Sequence, residues 1–146
     1  MVVDPHRTTP VRYYKGADLI KPNREEAFIL SGLNLDDLRQ SSTSLTEVAH
    51  AIQKQTGASN LIITQGKDGV ALFEGSTTRI VPTESRQVFD VTGAGDTFLA
   101  AFCLAWFGGT DVTTAAVMAN AAAGVVVGKI GSVPCSQKEL LEALSE

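Results

Sequence analysis

The sequence is short of the residues that build metal centres and covalent cross-links. Its 146 residues include two cysteines, Cys103 and Cys135, and two histidines, His6 and His50. The cysteines form no C-x-x-C pair and neither histidine has a partner at zinc-ligand spacing, so neither a disulfide framework nor a zinc site organises the chain. Two isolated thiols of this kind are expected to be buried and reduced. A basic surplus is also missing: 12 Lys and Arg against 16 Asp and Glu give a net charge of −4. That argues against a nucleic-acid surface, which needs a basic stripe. It does not argue against a phosphorylated small ligand, because backbone N–H groups can hold phosphate without basic side chains. No apolar run reaches the roughly 20 residues that span a bilayer. Met1 to Pro5 has no basic region followed by an apolar stretch, so no signal peptide is read and a cytoplasmic location is expected.

What is present is a core-forming composition, 44% hydrophobic and 19% charged, over a length that suits one domain spanning residues 1–146. Val2-Val3-Asp4-Pro5 reads as the end of a buried strand, and Asp18-Leu19-Ile20-Lys21-Pro22 as a second short strand, stopped by its proline. Asn23 then caps a helix over Arg24 to Leu30, with Glu25 and Glu26 in its first turn and Gly32 past its end. The serine-rich stretch from Leu38 to Thr43 reads as a loop. Leu45, Val48, Ala49 and Ile52 follow helical spacing up to Gly57. Asn60 to Thr64 is a continuous apolar run, as in a strand covered on both faces. Val70 to Glu74 and Thr77 to Val81 read as an antiparallel pair turning at Gly75-Ser76, and three helices follow at about 94–107, 112–128 and 137–144. Strands alternating with helices early and helices gathered late predict an α/β fold: a mostly parallel sheet with helices on both faces.

The segment Asp90 to Phe102, DVTGAGDTFLAAF, is the most informative. Gly93 and Gly95 sit where a helix begins, although each glycine costs about 0.5–1 kcal/mol relative to alanine inside a helix. Such a start is useful where a ligand must approach the backbone, because the free N–H groups and the helix dipole favour an anion there. Asp96 projects from that first turn and could accept a proton from a hydroxyl beside the anion. The plain alternative is a helix start with an acidic first-turn residue, worth about 0.3–1 kcal/mol. On the residues alone the two readings stand level.

The same segment resembles the C-terminal signature of the ribokinase-like (PfkB) carbohydrate kinases, with Cys103 just beyond it an unusual choice. The resemblance implies an α/β three-layer, ribokinase-like fold, of which this chain would form the C-terminal portion. It implies ATP and Mg²⁺ as reactants, Asp96 as catalytic base, and the amides of Gly93, Ala94 and Gly95 as an anion hole. Two further elements agree in order. Asn23-Arg24-Glu25-Glu26 matches the family's N-x-x-E element, in which Asn23 and Glu26 help organise magnesium and phosphates; its local reading is a helix cap. Thr64-Gln65-Gly66-Lys67-Asp68-Gly69 matches a T-x-G-x-x-G loop facing the ATP phosphates, so Thr64, Gly66 and Gly69 are carried across; its local reading is a turn. Neither a Walker A loop nor a dinucleotide fingerprint fits, since Asp68 follows Gly66-Lys67 and Phe98 stands where a third glycine belongs.

Asn120, in a helix rich in small residues, reads locally as a core amide satisfied by backbone or water. The resemblance places it by the adenosine. It also implies a monovalent-cation site, K⁺ in some relatives, involving Asp90, Thr92, Val126, Lys129 and Gly131. Within the family the chain is most similar to the heptose 7-phosphate kinases of lipopolysaccharide-precursor synthesis. Arg12 to Ala17 with Lys21-Pro22-Asn23, Val88 to Thr92, and Asn120 to Gly131 carry that similarity. The implied reaction is phosphorylation of the anomeric hydroxyl of heptose 7-phosphate by ATP. Family members are longer, so the sugar contacts are expected on an N-terminal half; the chain would associate with that half or form a homo-oligomer. Two rivals stay open: a nucleotide-binding or oligomerising module without turnover, and a ribokinase-like kinase for another sugar or nucleoside.

Overall fold

The structure is a computed structural model that describes residues 1–33, 44–83, 93–131 and 133–145. The loop read at Leu38 to Thr43, and the residues Asp90 and Thr92, lie outside the described residues. Those described gather into two compact units: Met1–Gly66 with Ala71–Ile80, and Lys67–Val70 with Val81–Glu146.

The first unit carries most of a five-stranded sheet: β1 (Val2–Val3), β2 (Leu19–Ile20), β3 (Asn60–Thr64), β4 (Val70–Glu74) and β5 (Thr77–Val81), side by side in chain order. β1, β2 and β3 are parallel, with Val2 opposite Leu19 and Leu19 opposite Asn60. Parallel neighbours need a crossover of about a dozen residues. The links from β3 to β4 and from β4 to β5 are far shorter, so both of those pairs run antiparallel. The Gly75 amide accordingly donates to the Ser59 carbonyl at 3.2 Å, setting the end of β4 beside the start of β3. The sheet is therefore mixed.

Helices α1 (Arg24–Ser31) and α2 (Leu45–Thr56) follow the sequence reading closely because their end signals are local. Asn23 and Ser44 each accept from the backbone amide three residues on, and Glu26 and Glu47 reach back in reciprocal capping boxes. Gly32 and Gly57 close the two helices in the left-handed conformation. Val48, Ala49 and Ile52 of α2 and Phe28 of α1 bury against Ile20, Ile63 and Phe73 of the sheet. Each of these larger side chains contributes about 1.5–3 kcal/mol by leaving water. On the opposite sheet face Leu19, Ile62 and Leu72 are equally buried, which explains why Leu61-Ile62-Ile63 is apolar without alternation. A short 3-10 turn at Val11–Tyr14, not read from the sequence, links β1 to β2, and the Tyr14 hydroxyl accepts from the His6 amide at 3.0 Å.

The second unit holds α3 (Ala94–Phe107), α4 (Val112–Val127) and α5 (Gln137–Ala143). α3 and α4 pack on each other. Phe98 and Phe102 of α3 are buried, as are Ala115, Ala119, Ala122 and Val126 of α4. The alanines let the two backbones approach. Beyond α4, the Lys129 ammonium bonds the Pro134 carbonyl at 3.0 Å and the Glu139 carboxylate at 2.7 Å, tying α5 back to the end of α4. Cys103 and Cys135 are unpaired and half-buried. Among the described residues no helix is long and apolar enough to cross a membrane.

Candidate functional site

Three of the residues singled out in the sequence meet in the first unit. Parallel pairing of β2 with β3 continues past the strand ends as a bridge between Asn23 and Thr64. The Thr64 amide donates to the Pro22 carbonyl at 3.0 Å. Asn23 Oδ1 accepts from the Glu26 amide at 2.9 Å, and Glu26 Oε2 accepts from the Asn23 amide at 2.9 Å. The N-x-x-E element is thus a complete capping box, and its local reading holds. One carboxylate oxygen of Glu26 is left outside the box. Mg²⁺ is commonly held by one or two carboxylates with ligand phosphates and water, so this donor set fits such an ion through Glu26.

The glycine loop after Thr64 contains a second short 3-10 turn, Gly66–Asp68. Gly66 and Gly69 both adopt positive φ, 60° and 83°. Their surroundings differ. A Cβ on Gly66 would meet nothing within 4 Å, whereas one on Gly69 would lie 2.1 Å from the Val81 carbonyl oxygen and 2.8 Å from Pro82 Cα. Gly69 is therefore required by packing as well as by its backbone conformation.

In the second unit, Asn120 donates from Nδ2 to the Pro82 carbonyl at 2.7 Å. Gly69 and Asn120 thus converge on Pro82, which fastens α4 to the chain leaving β5. The reading of Asn120 as an amide satisfied by backbone is met by this bond. Nothing in the sequence marked Pro82 for that role, because its carbonyl is the group used.

Among the described residues, α3 begins unlike the other four helices. Asn23, Ser44, Asp111 and Ser136 cap α1, α2, α4 and α5 by side-chain oxygen, whereas α3 starts at Gly93 with no side-chain cap. Gly93 has φ 79° and ψ −4°, a left-handed conformation that costs an ordinary residue about 1–2 kcal/mol. The first described backbone bond of the helix is Thr97 N–H to Gly93 C=O at 2.9 Å. The amides of Ala94 and Gly95 precede it, and Asp96 is exposed in the same turn. A helix start of this kind can receive an anion, with a carboxylate beside it. Among the described residues no three His, Cys, Asp or Glu side chains gather as a metal cluster.

Comparison with known proteins shows the family and the fold. Residues 2–139 match the family described as pfkB family carbohydrate kinase. The chain is 41% identical to a bifunctional protein HldE of Desulfatibacillum aliphaticivorans, covering 100% of this chain and 29% of that protein. It is 39% identical to the HldE of Geobacter sulfurreducens, covering 99% and 29%. Among solved structures it superposes on a ribokinase of Thermotoga maritima with TM-score 0.85 at 25% identity, over 99% of this chain and 48% of that one. The ribokinase of Arabidopsis thaliana, solved with ribose and ATP, gives TM-score 0.82 at 28% identity over 99% and 46%. The chain spans less than a third of those curated relatives and about half of those ribokinases, and its fold is ribokinase-like. It belongs to the pfkB family of carbohydrate kinases.

Proposed function

We propose that this chain supplies the nucleotide site and the catalytic base of an ATP-dependent sugar kinase. The observation that carries the reading is the start of α3: an uncapped helix N-terminus opened by a left-handed Gly93, with Asp96 exposed in its first turn. In phosphoryl transfer, charge spreads over the oxygens of the moving group while the attacking hydroxyl loses its proton. Asp96 accepts that proton, and the amides of Gly93, Ala94 and Gly95 hold the oxygens. Thr64, Gly66 and Gly69 face the nucleotide phosphates, and Asn120 lies by the adenosine. Glu26, placed by its capping box with Asn23, would hold Mg²⁺, which supplies positive charge to the phosphate oxygens when bound. Asp90 and Thr92 would take part in a K⁺ site. The substrate in this reading is heptose 7-phosphate, phosphorylated at the anomeric hydroxyl by a cytoplasmic enzyme. Similarity of the chain to HldE proteins supports that choice over another sugar or nucleoside.

The share of the ribokinase that the chain spans, 48%, favours a second reading in which this chain alone binds nucleotide without turnover. In that case transfer depends on association with an N-terminal half or a further copy. Calorimetry with ADP and Mg²⁺, beside a coupled assay with heptose 7-phosphate, separates the two. ADP binding with transfer supports the kinase reading, and ADP binding without transfer supports the module. Absence of ADP binding sinks both.

A further inference from the structure

The second unit carries an apolar surface that the roles above leave unused. α3 (AGDTFLAAFCLAWF) and α4 (VTTAAVMANAAAGVVV) hold one charged residue between them, Asp96. A helix that is apolar all round belongs in an interior, whereas one bordering water turns a polar face to it. α3 buries Phe98, Phe102 and Ala105 and leaves Ala100, Leu104 and Phe107 exposed. Leu104 is 79% exposed and Phe107 72%. Helical spacing sets these three on one stripe, with half-buried Cys103 inside it. A contiguous stripe of this kind marks a contact surface, where a lone exposed leucine would not. The Phe107 ring stacks on Trp106 with centroids 5.5 Å apart, and Trp106 leans on buried Phe102 at 5.6 Å. The exposed ring is thus held in place, which lowers the entropy lost when it meets a partner.

The stripe is complementary to itself. In a two-fold pairing every contact occurs twice, residue i against j and j against i. With two α3 helices antiparallel and the axis between Cys103 and Leu104, Ala100 faces the partner's Phe107 and Cys103 faces the partner's Leu104. The small Ala100 leaves room for the ring, and small against large is how packed layers interdigitate. Charge selects the same direction. A parallel pair would set the two Asp96 carboxylates against each other. The antiparallel pair puts them at opposite ends, about 20 Å apart at 1.5 Å per residue, well beyond a Debye length of about 8 Å. The overlap, residues 100–107, is two turns long. It falls short of the roughly 800 Å² per partner of a standard interface, so the pairing is of micromolar strength.

We propose that this face of α3 is the contact between two copies of the chain, paired antiparallel beside Leu104. The proposal gives a surface to the further copy raised above and does not depend on nucleotide binding. The test is sedimentation equilibrium of the 146-residue chain from about 1 to 200 µM, the window in which an interface of this size is partly formed. A monomer–dimer equilibrium is expected. Leu104→Glu and Leu104→Lys should each weaken it by at least about tenfold, because each sets like charges together at the axis. An equimolar mixture of the two should restore it. Ala100→Phe and Phe107→Ala should each weaken it as well, and the double variant, which exchanges the sizes, should recover. Circular dichroism melting checks that every variant folds. Should the charged variants not fold, the Ala100 and Phe107 series decides in the same way. A parent that stays monomeric throughout overturns the proposal and leaves the face to an N-terminal half. A dimer indifferent to Leu104→Glu overturns it too, as does a mixture of the charged variants that stays monomeric. ADP titrations of the parent and Leu104→Glu should agree, and a dimeric parent that binds no ADP sinks the nucleotide reading alone.

Discussion

Asn23 and Thr64 meet as a parallel β-bridge, although one caps a helix and the other ends a strand. The bridge fixes the N-x-x-E element beside the first residue of the glycine loop. Neither motif implies the other locally. They are joined by the β2–β3 pairing.

That arrangement separates two roles for Glu26. Glu26→Gln keeps a side chain that can close a capping box and removes the negative charge. Melting is expected to stay within about 0.5 kcal/mol of the parent, the usual range for surface changes. Affinity for Mg²⁺-ADP should fall while affinity for metal-free ADP holds. Asn23→Ala, by contrast, removes the cap and should cost about 1 kcal/mol of stability. If Glu26→Gln lowers both ADP affinities equally, the residue is a cap and nothing more.

The two glycines of the loop should respond differently to alanine. Gly66→Ala meets open space and suffers only its positive φ, a penalty of about 1–2 kcal/mol. Gly69→Ala suffers the same penalty and also drives a Cβ against the Val81 carbonyl. Overpacking typically adds about 1–3 kcal/mol, so the second variant should lose about 3 kcal/mol or more in urea unfolding. ADP affinity measured on folded Gly66→Ala then reports on the loop's contact with phosphate. Equal stability losses would place the backbone around Gly69 elsewhere.

These contrasts show where the sequence was legible. The ends of α1 and α2 were readable because Asn23, Gly32 and Gly57 act on neighbours within a turn. The apolar run Leu61-Ile62-Ile63 announced a strand buried on both faces, and the β4–β5 hairpin followed from Gly75-Ser76. The GAGD segment marked the start of α3 because glycines at a helix N-terminus are unfavourable without a purpose. An ion pair between Lys21 and Asp4 was not legible, since only the β1–β2 register brings these residues together. The bond from Asn120 to Pro82 was hidden for a similar reason. Its acceptor is a backbone carbonyl, and every residue has one. The 3-10 turn at Val11–Tyr14 has no periodic signature at its length.

The end of the chain carries a pH-dependent tie. Glu139 is lowered from 4.5 to about 2, first by the Lys129 ammonium and then by the Ser136 hydroxyl and amide. A carboxyl whose folded pKa lies below its unfolded value adds stability above the unfolded pKa and loses it as pH falls through the folded one. The parent should therefore melt above Glu139→Gln at neutral pH, and the gap should close between about pH 4.5 and 2. A gap independent of pH across that window would mean that the Lys129 contact adds nothing to folding.

The central prediction concerns Asp96, which stands exposed in the first turn of a helix without a side-chain cap. Asp96→Asn keeps the size and part of the hydrogen bonding and removes the proton acceptor. If Asp96 only complements the helix dipole, the change costs about 0.3–1 kcal/mol of stability and little rate. If it is the base, the loss is kinetic, because general-base assistance is typically worth about 10²–10⁴-fold. In a preparation that turns over sugar, kcat is expected to fall at least about 10²-fold, with ADP affinity changed by less than about tenfold. The start of α3 makes the two effects separable, since its amides can still hold phosphate when the carboxylate is gone. Nucleotide binding should therefore survive a substitution that stops transfer. A variant that melts slightly earlier and turns over near the parental rate would assign the carboxylate to the helix and leave the reaction without its base.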